Sequence, residues 1–207
     1  MKNLNYFKRN LQLVLLAFST VFIVTSCENS DVEESNGSDN ARLNLHETIL
    51  TMRNGSPAPG MSSIGQIAIN SGFNELVNAL MYVDDELDAG LVNLFVNGTD
   101  QYTVFAPTDD AFMNLYNALE INSIEDLPAE LVRDVLLYHV TEGRRASNSV
   151  VPKRGQRSIT TLLGASFNVN PDGSITAIGN TANITAADIS ASNGIIHVID
   201  TVILPIE

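Results

Sequence analysis

The chain has 207 residues, with 24 acidic against 11 basic side chains and a formal net charge of −13. That balance argues against nonspecific nucleic-acid binding, which needs a basic footprint, and the length suits one domain with tails. Tryptophan is absent and aromatic residues make up 6%, so aliphatic side chains must supply most of a core.

Lys2, Lys8 and Arg9 precede a mostly apolar stretch from Leu11 to Val24, broken by Gln12, Ser19 and Thr20. It has the size of a signal-peptide core and is short for a bilayer span. It runs into Val24-Thr25-Ser26-Cys27, small residues before a cysteine, which resembles the bacterial lipobox. The resemblance implies that residues 1–26 are removed as a lipoprotein signal peptide. The Cys27 thiol then carries a diacyl group, and the new amine often carries a further fatty acid such as palmitate. Several chains hold far more firmly than one, because each buried CH₂ contributes about 0.8 kcal/mol. Cys27 is the one cysteine, so no intrachain disulfide and no cysteine zinc cluster can form. Removal of residues 1–26 leaves 24 acidic and 8 basic residues, a net charge of −16.

Residues 27–62 read as a linker. The run ENSDVEESNGSDN is polar and acidic, and RNGSPAPGMSS adds Gly, Pro and Ser. As a coil it would span about 30–35 Å. The folded domain is expected over 63–207. Ile64, Ile67 and Ala68, then Phe73, Leu76, Val77, Leu80 and Met81, recur at helical spacing on either side of Gly72, which predicts two short helices. A partly helical stretch follows, ending in an Asn97-Gly98-Thr99 turn, and then a short buried strand, YTVFA.

Thr108-Asp109-Asp110 comes next. Thr108 suits an N-cap, and Asp109 and Asp110 then fall in the first turn, where carboxylates favour the positive end of the helix dipole. Phe112, Leu115, Tyr116 and Leu119 continue as one apolar stripe. Adjacent side chains on a helix diverge, so these aspartates are read as a structural helix start rather than an acid–base or metal pair. The same grammar repeats with Ser123 as cap, Pro128 in the first turn and Leu131, Val132, Val135 and Leu136 as the buried face, ending near Tyr138-His139. Beyond it lie short β-prone runs, with Asn170-Pro171-Asp172-Gly173 as a hairpin turn. The segment from Gly194 to Pro205 reads as a long central strand, with Ile196, Val198, Val202 and Leu204 on one face and His197, Ile199, Thr201 and Ile203 on the other. Helices first and strands second give an α+β class in one domain.

Three blocks in this order resemble the fasciclin-domain family: YTVFAPTDDAF at Tyr102–Phe112, LLYHVTEGR around Tyr138 and His139, and NGIIHVIDTVILP at Asn193–Pro205. Between them lie the hairpin and an Asp188-Ile189 pair. The resemblance implies a compact wedge or sandwich of β-strands with several short helices packed on it. It also implies an extracellular adhesion or matrix-contact module without catalysis or cofactor, with Tyr138, His139, Asp188 and Ile189 as candidate contact residues.

Other chemistries find little support. A zinc site would need His139 and His197 to converge with a carboxylate such as Asp200, and no HExxH or close His pair exists. No nucleophile elbow and no phosphate-binding glycine loop is present. From residue 63 onward, five of the six basic residues, namely Arg144, Arg145, Lys153, Arg154 and Arg157, fall in one segment, against 18 acidic residues. Arg144, Arg145 and Arg154 are therefore candidates for docking an acidic protein surface or anionic glycan. The sequence thus supports a lipid-anchored envelope adhesion module, expected on the outer membrane and facing outward. A periplasmic or surface protein binding a glycan or small molecule in a groove between helices and sheet is the second reading, and an enzyme is a distant third.

Overall fold

A computed structural model describes residues 59–206. The signal-peptide assignment, Cys27 and most of the linker lie outside the described residues.

Helix α1 (Ile64–Asn70) starts in a capping box: the Gln66 N–H donates to Ser63 Oγ at 3.3 Å, and the Ser63 N–H donates to Gln66 Oε1 at 3.1 Å. The chain engages the domain slightly earlier than Ser63, since the Gly60 N–H donates to the Ala191 carbonyl at 3.2 Å. Helix α2 (Asn74–Leu87) is longer than its sequence pattern suggests and ends at Asp88 in the left-handed conformation. Helix α3 spans Leu91–Asn97. Strand β1 (Tyr102–Pro107) leads directly into α4 (Asp109–Leu119), and a 3₁₀ turn at Ile124–Asp126 precedes α5 (Ala129–Tyr138). Then come β2 (Val140–Glu142), the single-turn α6 (Ser147–Val150), β3 (Arg157–Thr160), β4 (Ser166–Val169), β5 (Ser174–Thr176), β6 (Thr181–Ala191) and β7 (Gly194–Ile199).

The strands form one sheet in the order β2-β1-β7-β6-β5-β4-β3. Pairs are antiparallel except β1–β7, which run parallel with Tyr102 opposite Gly194 and Pro107 opposite Ile199. The sheet curls until its ends meet. The Leu162 N–H, just past β3, donates to the Val140 carbonyl of β2 at 2.8 Å, and Thr141 Oγ1 donates to the Thr160 carbonyl at 2.7 Å. This contact covers open strand edges that would otherwise invite pairing with other chains.

Two apolar cores result. One, inside the wedge, holds Phe105, Tyr138, Ile159, Phe167, Ile199 and Ile203. The other, between sheet and helices, holds Leu76, Leu80, Phe112, Leu136, Ile196 and Val202. The two faces of the Gly194–Pro205 segment divide between the cores as its alternation predicts. Regular strand stops at Ile199, because the Asp200 carboxylate turns aside to accept from Asn183 N and Nδ2 at 2.8 and 2.9 Å.

Carboxylates also cap helices across the structure. Thr108 Oγ1 caps its own helix, accepting from the Ala111 N–H at 3.3 Å. Asp109 turns away from that helix, and its two oxygens accept from Glu75 N and Asn74 Nδ2 at 3.0 and 2.8 Å. It thereby serves α2, whose own N-cap, Phe73, offers no side-chain acceptor. Asp84 likewise accepts from Leu91 N and Val92 N at 2.7 and 2.8 Å, starting α3. Replacing Asp109 by alanine is expected to cost about 1–2 kcal/mol, the usual worth of a cap, read as a lower urea midpoint with unchanged slope. Asp110→Ala should cost a few tenths of that.

Candidate functional site

The candidate residues fall in two places. Tyr138 and His139 end α5, and a helical step sends their side chains to opposite sides. Tyr138 is fully buried in the wedge, edge-on to Phe167 with ring centroids 5.8 Å apart, and its hydroxyl donates to the Ser166 carbonyl at 3.1 Å. His139, 2% exposed, enters the helix–sheet core. There Nε2 accepts from the Ile203 N–H at 3.1 Å, which leaves Nδ1 to donate to the Val135 carbonyl at 2.7 Å. The imidazole closes the last turn of α5 and fixes the segment after β7. Burial lowers its pKa from 6.5 to about 4, so the ring is neutral at ordinary pH. The expectation that Tyr138 and His139 form a contact surface is corrected: both lie in the interior and complete the scaffold.

The second place is a polar network on β6 and β7. Two shifts of register in β6 leave Asp188 in the left-handed conformation at φ 63°. Its carboxylate accepts from Ser147 N at 2.7 Å and Ser147 Oγ at 2.5 Å, anchoring α6. Its own N–H donates to His197 Nδ1 at 3.3 Å, so His197 Nε2 donates to the Arg145 carbonyl at 2.9 Å. The Arg145 N–H donates to Thr103 Oγ1 at 2.8 Å, which in turn donates to the Gly143 carbonyl at 2.6 Å. Burial lowers the pKa of His197, with smaller raising effects from Arg145 and Asp188. Ile189 is half-buried against the helix–sheet core.

Arg144 belongs to this network and not to an exposed basic loop, which corrects its place among the docking candidates. Its guanidinium donates to the carbonyls of Ala191 and Gly194 at 2.8 and 2.6 Å and to Ser190 Oγ at 2.5 Å. It clamps the β6–β7 turn. Lys153 and Arg154 are exposed, Arg145 is half-exposed, and Arg157 is half-exposed with its guanidinium on the Ser149 carbonyl.

A buried asparagine escaped sequence reasoning. Asn193, 2% exposed in the β6–β7 turn, accepts from the Ile64 N–H at 2.8 Å and donates to the Phe95 carbonyl at 3.1 Å. It ties α1 and α3 to the sheet. Its place beside a glycine before an apolar strand marks a turn, but nothing local reveals partners so distant in the chain.

The histidines do not converge, since they serve opposite faces of the fold. Among the described residues no three His, Cys, Asp or Glu side chains gather as a metal site, and no helix is long and apolar enough to cross a membrane. The arrangement defines an internally hydrogen-bonded wedge.

Comparison with known proteins gives the family. The model of the fasciclin domain matches residues 71–205, and the chain belongs to the fasciclin-domain family. It is 32% identical over 169 residues to protein sll1483 of Synechocystis, covering 80% of this chain and 85% of that one. It is 35% identical over 124 residues to immunogenic protein MPB70 of Mycobacterium bovis, covering 56% of this chain and 59% of MPB70. Among solved structures, a FAS1 domain pair from the insect cell adhesion molecule fasciclin I aligns at a TM-score of 0.48 and 20% identity, over 67% of this chain and 46% of that one.

Proposed function

We propose that the chain is a non-catalytic contact module held on the bacterial cell envelope by lipid at Cys27 and displayed outward on its acidic tether. One observation carries this reading: six polar side chains of the family blocks spend their hydrogen bonds inside the fold. Thr108, Asp109, Tyr138, His139, His197 and Asp200 all bond to backbone or neighbouring side chains. Such groups build a scaffold, and recognition falls to the outer surface. Adhesion is what membership of the family implies.

On an acidic domain Lys153 and Arg154 are exposed cations, with Arg145 and Arg157 half-exposed in the same segment of chain. This group suits an acidic protein or anionic glycan, through rim-type contacts that are weak singly and strengthened by many copies on one surface.

Intact cells carrying the full chain test both parts. Labelled fatty acid should enter the wild type and not Cys27→Ala, and external protease should remove the domain without lysis. The double reversal Lys153→Glu/Arg154→Glu should weaken attachment of cells to an anionic glycan surface by about 10-fold, two rim charges at a little under 1 kcal/mol each. Attachment unchanged by the reversal ends the docking assignment, and a protease-resistant domain in intact cells ends outward display.

A further inference from the structure

Between α2, α4, α5 and the segment that follows β7 lies a cavity of about 160 Å³. Leu76, Phe112, Leu131, Val135, Val202 and Leu204 are among its walls, and its accessible lining is entirely apolar. His139 also borders it, but both ring nitrogens are already bonded, to Val135 and Ile203. The site therefore has no polar anchor for a sugar or an ion. An enclosed apolar cavity of about 150 Å³ lined by Leu, Ile and Phe suffices to bind benzene.

Its mouth favours one class of guest. A smaller void of about 30 Å³ lies beside it, sharing Leu76, Leu136 and His139 as walls. Leu119 and Ile206 also line the cavity, and they are 48% and 51% exposed, so its opening to solvent is itself apolar. The residues from Val202 to Ile206 form no regular strand, and they cover the cavity as an extended segment pinned at Asn180, which bonds to the Val202 carbonyl and the Leu204 N–H. Ile206, beyond that pin, stands at the mouth.

We propose that this cavity is a binding site for a single alkyl chain of roughly six carbons, the end of an aliphatic molecule whose remainder stays in solvent. The lining is apolar, the volume suits such a guest, and the apolar mouth lets a chain enter by one end and leave its remainder outside. This site is separate from the basic surface proposed for adhesion and stands or falls without it.

The test uses the full chain with methyl-labelled Leu, Ile and Val, in buffer saturated with hexane, with benzene, or with neither. Hexane should raise the thermal midpoint by about 3 °C and shift the methyl signals of Leu76, Leu131 and Ile206, while those of Ile159 and Ile175 in the wedge core stay put. Filling the cavity with Ala79→Leu, or with Val132→Leu if the first does not fold, should at least halve the hexane response. A response to neither hydrocarbon overturns the site, a response to benzene alone overturns the chain-shaped guest, and an undiminished response in a folded filled variant overturns the location. If neither variant folds, the location is decided by the wild-type methyl shifts, and shifts confined to the wedge core overturn it.

Discussion

His139→Leu is expected to cost about 3 kcal/mol of unfolding free energy and to remove a pH dependence. Leucine preserves the apolar contacts but strands the Ile203 N–H and the Val135 carbonyl, both bonded to the imidazole in the native fold. Each orphaned buried group costs about 1–3 kcal/mol. The pH effect has a definite sign. Burial holds the folded-state pKa near 4, below the 6.5 of the free side chain. The unfolded chain therefore binds the proton first, and stability falls as pH drops from about 6.5 towards 4. The full loss approaches about 3 kcal/mol, since each pKa unit is worth about 1.4 kcal/mol. Urea titrations of wild type and variant between pH 4 and 7.5 check this. The wild-type midpoint should fall with acidification, and the variant should start lower and fall less. Equal slopes would show that the acid sensitivity resides elsewhere, His197 being the other buried imidazole.

Gly194→Ala is expected to be more damaging, at 4 kcal/mol or more, with failure to accumulate as a folded protein the extreme case. A Cβ on Gly194 would sit 2.0 Å from the Tyr102 carbonyl oxygen and 2.8 Å from Ile64 Cδ1. The first clash is with backbone, in the pair where Tyr102 lies opposite Gly194 and parallel pairing begins. Neither strand can withdraw, because Arg144 bonds the Gly194 carbonyl on one side and Asn193 fixes α1 on the other. Circular dichroism and protease resistance of Gly194→Ala should show a loosened β6–β7 turn, whereas Gly173→Ala, with open space around its Cβ despite a φ of 85°, should fold with a modest penalty.

Where the governing interactions are local, the sequence was informative. Thr108 before two aspartates marks the start of α4, because an N-cap is decided within a few residues. Asn170-Pro171-Asp172-Gly173 marks the β4–β5 turn, where the Gly173 N–H returns to the Asn170 carbonyl at 3.0 Å. The alternation from Ile196 to Leu204 divided the apolar side chains between the two cores, since a two-sided strand needs both faces apolar. What escaped was set by distant partners. Asp109 looked like a charge at its own helix end and serves another helix, a choice made by packing. Arg144 looked like one of a basic cluster, yet its guanidinium is spent on three acceptors at the β6–β7 turn. Tyr138 and His139 were candidate contacts through the family resemblance alone, and the helix end that carries them points inward. The register shifts of β6 left no mark in a run of small residues.

The parallel pairing of β1 with β7 also has a temporal consequence. The domain's last strand is inserted between β1 and β6, near the middle of the sheet, so neither core can close until that strand has arrived. Contacts of such large sequence separation make folding slow, and a domain delivered progressively from its amino end would stay open until nearly all of the domain had emerged. Passage through a narrow conduit in the extended state would meet little resistance from premature folding, and the finished wedge would form on the far side.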